Sequence, residues 1–295
     1  MSRITVVIPA YNGVRRYLAK ALDSVLAQTH REVDVIVVDD ASEDDTADLV
    51  RRYSVRYVRH PVNRGQAAAR NEGARHASTD FLAFLDQDDL WEPTFLEETH
   101  AALIRNPEAA IVHTDGYQVS EGNEILHYDA AMKWAPTITQ LLRGGHDAAT
   151  SGSLFRKRCF DALAGYDESL PIWEDIDLAI RVYQRYPVVH LPKPLYRHRL
   201  YGHNASRDIP SERALLGRQR FLNKYAMVCG PGTREARVLR ADWARYYADL
   251  GKHHLRQRRV TQAREALRLS VSHAPWNPKA WLRLARSFFI RSHQT

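Results

Sequence analysis

The chain has 295 residues, of which 44% are hydrophobic and 26% charged, values typical of one large globular domain or two ordinary ones. Two cysteines are too few for a disulfide framework and fit a reducing compartment. No apolar run approaches the roughly 20 residues that span a bilayer, and a strand-like run directly after Ser2 leaves no room for a secretory signal. We therefore expect a cytoplasmic protein. Its net charge of +7 indicates a basic surface rather than any one partner.

The first half of the chain alternates predicted strands and helices. Apolar, mostly β-branched runs predict strands at 4–8, 33–38, 55–58, 81–85 and 110–112. Helical periodicity and helix-start residues predict helices at 17–28, from 44, at 67–77 and from 93. Repeated strand–helix units favour a parallel sheet with right-handed crossovers. Polar residues follow the first, second and fourth strands, at the edge of such a sheet where a nucleotide binds.

From about Arg213 the composition changes, and Arg, Ala and Leu dominate. A weak repeat of 34 residues aligns Tyr247–Gly251 with Trp281–Ala285. This pattern resembles a tetratricopeptide helix pair followed by the start of a second pair. Because fewer than three repeats rarely stand alone, we predict that 213–295 is a helical extension docked on the preceding domain, with Trp281 in its core. A generic helical tail is the alternative.

The most informative segment is the fourth strand, whose apolar run ends in Asp86-Gln87-Asp88-Asp89. Carboxylates at the carboxyl end of a strand lie where open α/β sheets bind ligands. Three acids this close together repel one another, and a hard divalent cation with oxygen ligands supplies the counter-charge. The segment therefore predicts a Mn²⁺ or Mg²⁺ site. The alternative is a solvated acidic loop that caps the helix after Pro93.

Six clusters of polar residues have to be explained together. In chain order they are Ile8–Asn12, Val38–Ser42, Asn63–Gly65 with Arg70 and Asn71, Asp86–Asp89, Trp173–Leu178, and Tyr196–His198 with His203, Asn204 and Ser206. Their order and spacing resemble the inverting glycosyltransferases of family 2, over roughly residues 3–206. The resemblance implies an α/β chain with a GT-A fold, in which a mostly parallel nucleotide-binding sheet is flanked by helices. It also implies a nucleotide-sugar half at about 1–110 and an acceptor half at about 111–212, before the all-α extension.

The resemblance assigns the nucleotide-sugar site to the loops after the first two strands and to two later clusters. The implied residues are Pro9, Ala10, Tyr11, Asn12, Asp39, Asp40, Arg70, Asp86 and Gln87. A carboxylate can accept from the imide N–H of uracil or the amide edge of guanine, and we favour Asp39 as this base reader. A helix cap is the alternative for Asp40, and a surface charge is the alternative for Arg70.

The same resemblance assigns the metal. It makes Asp88 the direct ligand of Mn²⁺ or Mg²⁺, and Asp86 a contact of the ribose or of metal-bound water. His198 and His203 are further candidate ligands, and a surface histidine is the alternative for each. The cation would neutralise the charge that develops as the nucleoside diphosphate leaves.

The Glu174-Asp175 pair matches the family's catalytic acids. Asp175 is the implied base that removes the acceptor hydroxyl proton, and Glu174 supports it. Like charge and partial desolvation should raise the pKa of one of the two. Trp173, Gly152 and Ser153 are expected on the acceptor side, with Trp173 able to stack on a sugar. Acids that complement a helix dipole are the alternative for the pair.

These residues predict a metal-dependent inverting glycosyltransferase. It would move sugar from a nucleoside-diphosphate sugar, with a UDP-sugar favoured, to a polysaccharide, glycolipid or other glycan hydroxyl, without a nucleic-acid partner. A sugar-1-phosphate nucleotidyltransferase would need a basic, Gly-rich loop where Pro9–Gly13 stands. A non-catalytic scaffold acting through the tail would not require Asp88 and Asp175. Arginines and aromatics in the tail indicate contact with the inner membrane face or a partner protein, so truncation after about 212 should spare donor hydrolysis.

Overall fold

The computed structural model describes residues 3–12, 15–130, 138–142, 150–200 and 211–289. The chain divides into two compact units. Unit 1 comprises Met1–Thr137, Gly144–Glu168 and Glu174–Gly202. Unit 2 comprises Ile138–Arg143, Ser169–Trp173 and His203–Thr295. Two short segments from the first 212 residues therefore belong with the C-terminal helices.

Unit 1 is built on one mixed sheet. The strands of its described residues are β1 (Ile4–Ala10), β2 (Val33–Asp39), β3 (Arg56–Arg59), β4 (Phe81–Phe84), β5 (Leu90–Trp91), β6 (Ile111–Val119), β7 (Ile125–Asp129), β8 (Ser153–Arg156) and β9 (Val188–Arg199). The order across the sheet is β3-β2-β1-β4-β8-β6-β9-β5, and β7 pairs with β6. β1 to β4 are parallel, with Ile4 opposite both Val33 and Phe81. The predicted parallel sheet is confirmed for these four strands.

Helices cover both faces of this sheet, which explains why β1 is buried at every position. The helices of unit 1 are α1 (Arg15–Leu26), α2 (Thr46–Val50), α3 (Gln66–His76), α4 (Phe95–Arg105), α6 (Lys157–Ala162) and α7 (Glu174–Arg185). Side chains of α1 and α4 share one buried cluster with the sheet, and those of α3, α6 and α7 share the other. α3 lies close to the sheet at Gly73, where an added Cβ would come 2.3 Å from Val7 Cγ1.

Unit 2 is helical. It contains α5 (Ile138–Leu142), α8 (Glu212–Val228), α9 (Arg234–Arg256), α10 (Val260–His273) and α11 (Pro278–Phe288). α9 packs closely on α10 at Gly251, which has no side chain. A Cβ at this position would lie only 2.7 Å from Leu267. The predicted helical extension is confirmed, but the core position of Trp281 is wrong: its side chain is 52% exposed. Among the described residues, no helix has the length and hydropathy to cross a bilayer.

Candidate active site

The loops after β1 and β4 are joined by one side chain. Gln87 Oε1 accepts from the Tyr11 N–H at 2.9 Å, and Gln87 Nε2 donates to the Tyr11 carbonyl at 3.2 Å. The loop after β2 is tied to the same place, since the Asn12 N–H donates to Ser42 Oγ at 3.2 Å. Three strand ends therefore form one polar edge, as the sequence pattern predicts. The Tyr11 side chain remains exposed there.

Asp39 ends β2 with a fully buried carboxylate. Its Oδ1 accepts from the Ser42 N–H at 2.8 Å, and its Oδ2 accepts from the Tyr57 hydroxyl and from Arg59 Nη1, the latter at 3.0 Å. These hydrogen bonds link Asp39, at the end of β2, to side chains of β3.

The neighbouring Asp40 is used by the loop that leads into α3. Its Oδ1 accepts from the Arg64 N–H at 2.8 Å and lies 2.7 Å from His60 Nδ1, while its Oδ2 accepts from the Gly65 N–H at 2.7 Å. Gly65 has a φ of 88°, which favours glycine. Asp40 thus fixes the start of α3 rather than the start of the helix that directly follows it.

Arg70 of α3 connects the two acidic motifs. Its Nη1 donates to Glu174 Oε1 at 2.8 Å and its Nη2 donates to Asp86 Oδ1 at 2.6 Å. Burial opposes the positive charge, but Asp86, Tyr166 and Glu174 outweigh it and hold the pKa of Arg70 well above its usual value. The guanidinium is a fixed cation between the acids, so the surface-charge alternative for Arg70 is wrong.

Glu174 and Asp175 open α7 and differ in their surroundings. Glu174 is buried and also accepts a hydrogen bond from Gln66 Nε2. Burial raises the pKa of Asp175 to about 7, and the charge of Glu174 adds to this effect. The Ile176 N–H, 2.7 Å from Asp175 Oδ1, and the Arg70 charge act in the opposite direction. The predicted raised pKa is therefore found at Asp175, and such a carboxyl exchanges its proton near neutral pH.

The acidic loop after β4 is held from the end of β9. Asp89 Oδ1 accepts from the Arg199 N–H at 3.2 Å and lies 3.3 Å from His198 Nδ1. Arg199 Nε donates to the Asp88 carbonyl at 3.1 Å. His198 therefore lies beside this loop, whereas His203 lies outside the described residues.

The acidic loop can be compared with what a divalent cation on a nucleotide requires. No group of three His, Cys, Asp or Glu side chains able to hold a metal occurs in the part of the chain that the structure describes. Mg²⁺ on a diphosphate, however, takes only one or two protein carboxylates and fills its remaining positions with phosphate and water oxygens. Asp86 and Asp88 supply that number.

The three residues predicted on the acceptor side fall in different places. Gly152 lies against Tyr196, and a Cβ there would come 2.6 Å from the ring. Ser153 is buried at the start of β8. Trp173 belongs to unit 2, where its ring makes an edge-to-face contact with Phe221 at 5.0 Å between centroids.

Sequence reasoning missed two groups that support the site. Gln66 lies four residues before Arg70, and this spacing places both side chains on one face of α3. The same spacing in the sequence could have identified Gln66 as part of the site. Ser151 Oγ accepts from the Asp86 N–H at 3.2 Å, and its carbonyl accepts from Trp91 Nε1 at 2.5 Å. No local sequence pattern predicts the role of Ser151, because its hydrogen-bond partners lie about sixty residues away.

The chain belongs to glycosyl transferase family 2, because the model of that family matches residues 5–163, more than half of the sequence. Curated relatives include glycosyltransferase GlyA of Streptococcus pneumoniae, 29% identical over 70% of this chain and 32% of its own length. An uncharacterized glycosyltransferase of Nostoc is 26% identical over 79% of this chain and 78% of its own. Relatives such as GlyA are therefore about three times as long as the matched region.

Solved structures show the same fold. TarS of Staphylococcus aureus, residues 1–349 in complex with UDP-GlcNAc, superimposes with a TM-score of 0.64 at 18% identity. The superposition covers 97% of this chain and 89% of that one. The predicted GT-A fold is confirmed, and the mixed sheet with flanking helices is its core.

Proposed function

We propose that this chain transfers a sugar from a nucleoside-diphosphate sugar to an acceptor hydroxyl, with inversion at the anomeric carbon. One observation carries the proposal: a carboxyl with a pKa of about 7, Asp175, adjoins Glu174, which Arg70 links to the acidic loop after β4. This arrangement puts a proton acceptor beside residues suited to a diphosphate. Neither a nucleotidyltransferase nor a scaffold requires such a pair.

The chain's own residues divide the work of the reaction. Asp175 takes the proton from the acceptor hydroxyl while that oxygen bonds to the anomeric carbon, and the nucleoside diphosphate leaves from the opposite face with the electrons of the broken C–O bond. Arg70 and Gln66 both donate to Glu174 and fix its carboxylate beside Asp175. The Glu174 charge raises the proton affinity of Asp175, and the fixed guanidinium holds Asp86 in place.

The donor is proposed to be a UDP-sugar bound at the polar edge of the sheet. The exposed Tyr11 ring offers a stacking face for the base, and a carboxylate such as that of Asp39 can accept from its imide. TarS structures in complex with UDP and with UDP-GlcNAc support this donor class. Asp88 and Asp86 would hold Mn²⁺ or Mg²⁺, with His198 and His203 as further candidates; the cation supplies charge neutralisation for the leaving group.

The acceptor is proposed to be a growing bacterial polysaccharide or a related glycan. Relatives of this chain include the chondroitin synthase of Escherichia coli, 27% identical over 69% of this chain, and the succinoglycan biosynthesis protein ExoW of Rhizobium meliloti, 35% identical over 48%. The covered regions are 30% and 46% of those proteins. These names support a polysaccharide acceptor.

The test is donor hydrolysis without acceptor. The protein is incubated with a panel of nucleotide sugars and Mn²⁺ or Mg²⁺, and release of nucleoside diphosphate is followed. We expect slow hydrolysis of one UDP-sugar, loss of hydrolysis in excess chelator, and loss of metal-dependent nucleoside-diphosphate binding in Asp88→Ala. Release of pyrophosphate would indicate the nucleotidyltransferase reaction, and failure to bind any of the donors would overturn the proposal.

A further inference from the structure

The last helix of unit 2 exposes a continuous apolar stripe. α11 fully buries Ala280 and Ser287, which face α10. With 3.6 residues per turn, the apolar residues next to this buried face follow one another around the helix. Beyond the half-buried Leu284, the exposed stripe consists in angular order of Phe288, Trp281, Ala285, Phe289 and Leu282. The large members of the stripe are 51% to 87% exposed, and Trp276 at the preceding turn is 69% exposed.

The polar side of the same helix is purely cationic. Lys279, Arg283 and Arg286 occupy it, and α11 contains no acidic residue. Arginines from neighbouring helices also border the aromatic rings: Arg240 lies 5.8 Å from the Trp276 ring centre and Arg264 lies 4.8 Å from that of Phe288. The apolar stripe is therefore rimmed by positive charge on the described surface of unit 2.

This local charge is part of a larger asymmetry. Residues 211–289 contain 17 Lys and Arg but 5 Asp and Glu, a net charge of +12, whereas the whole chain carries +7. The remainder of the protein is thus net negative. Since the excess positive charge and the exposed stripe lie in one unit, they favour a partner that is anionic and apolar at once.

We propose that α11 docks on the surface of an anionic lipid bilayer. The helix lies in the plane of the interface, the stripe enters the acyl boundary, and the arginines face the headgroups, as in interfacial amphipathic helices. Trp276 and Trp281 are of the residue type concentrated at this boundary. A second copy of the chain is a poorer occupant, because it would bring two acid-free cationic helices together. This inference does not depend on the proposed reaction.

Vesicle flotation of the full-length protein tests the proposal. Vesicles of phosphatidylcholine alone are compared with vesicles of equal parts phosphatidylcholine and phosphatidylglycerol, each at low and high salt. We expect flotation with the anionic vesicles at low salt, partial release at high salt, and little flotation with phosphatidylcholine. No flotation with anionic vesicles at low salt would overturn the proposal.

Matched variants separate the stripe from charge in general. Leu282→Glu with Phe289→Glu changes two exposed residues of the stripe, and Met227→Glu with Val228→Glu makes the same charge change at the exposed end of α8. We expect the first pair to weaken vesicle partitioning about tenfold or more, since losing one inserted apolar side chain approaches that factor. The second pair should weaken it much less. Equal loss in both pairs, or a dimer in sedimentation velocity that only the first pair dissolves, would contradict membrane docking.

Discussion

At the scale of single residues, the site shows how neighbours divide the roles of chemically similar acids. Asp39, Asp40 and Asp89 are buried, and each accepts a hydrogen bond from a backbone N–H. Asp175 accepts only its neighbour's N–H among the hydrogen bonds described, and burial raises its pKa to about 7. The sequence identifies all of these positions as acidic, but their roles depend on donors that come from other elements.

The change Asp175→Asn tests the base directly. We expect turnover to fall about 10²-fold or more, as for loss of a general base, while nucleoside-diphosphate binding stays near the wild-type value. Whereas turnover falls, the stability of the folded protein should rise. At pH values between the ordinary pKa of 3.8 and the folded-state pKa of about 7, folded Asp175 holds a proton that the unfolded chain has released. The contribution of Asp175 to stability therefore falls as the pH rises through that window. Asp175→Asn should therefore raise Tm at pH above this window, and not below it. Normal turnover in this variant would assign the base elsewhere.

Glu174→Gln tests the cause of the raised pKa. In the wild type, kcat/KM should fall about tenfold per pH unit below about 7, because protonated Asp175 cannot accept the hydroxyl proton. The Glu174 charge raises that pKa, so its removal should move the acidic limb of the profile to lower pH. Glutamine retains an oxygen that can accept from Arg70. A limb that stays in place would show that another group governs the profile.

At the scale of elements, the sequence predicts the buried parallel core and misses its extensions. β1, β2 and β4 are rich in buried apolar residues, mostly β-branched in β1 and β2, so their type and place follow from composition. β7 is almost wholly exposed and β5 has two residues, so neither carries a usable pattern. β9 contains Pro192 and Pro194, which argue against a strand. It forms because β6 shifts its register beside them, a pairing between distant segments that local patterns do not show.

Gly73→Ala tests the packing of α3, the helix that carries Gln66 and Arg70, against β1. The new Cβ would come 2.3 Å from Val7 Cγ1 in a buried contact. We expect a loss of about 1–3 kcal/mol in the free energy of unfolding, typical of overpacking, and a lower Tm. Gly122→Ala is the matched control, since its Cβ would meet Ser120 Oγ at an ordinary 3.6 Å. An equal Tm in the two variants would mean that α3 moves freely against β1.

At the scale of the whole molecule, the helical extension is more than an appendage after residue 212. α8 packs on Ser169–Trp173: a Cβ at Gly217 would lie 2.5 Å from Ile172, and Arg220 Nη1 donates to the Ser169 carbonyl at 2.6 Å. Phe221 is fully buried against Trp173. The sequence marks the change of composition at Arg213 but not these contacts, because their partners lie about fifty residues earlier. The segment covered by α8 ends at the residue directly before Glu174.

Two truncations of the chain follow from this packing. From sequence alone, a cut after about 212 should spare donor hydrolysis. The contacts of α8 predict the opposite. The cut removes the fully buried Phe221, and we expect this to cost about as much as a large-to-small core substitution, about 3–5 kcal/mol. It also exposes the segment that leads into Glu174. We expect residues 1–212 to be poorly soluble or to unfold at a much lower Tm, with little donor hydrolysis.

A cut after Asn277 is the matched comparison, since α11 is the one described helix that it removes, and α11 fully buries just two small residues, Ala280 and Ser287. This shorter protein should keep cooperative unfolding and the wild-type rate of donor hydrolysis, and lose only vesicle binding. Thermal unfolding and nucleoside-diphosphate release are measured for both truncations beside the full chain. If residues 1–212 hydrolyse the donor at the wild-type rate with an unchanged Tm, α8 contributes nothing to the site, and the division of the chain lies where its composition changes.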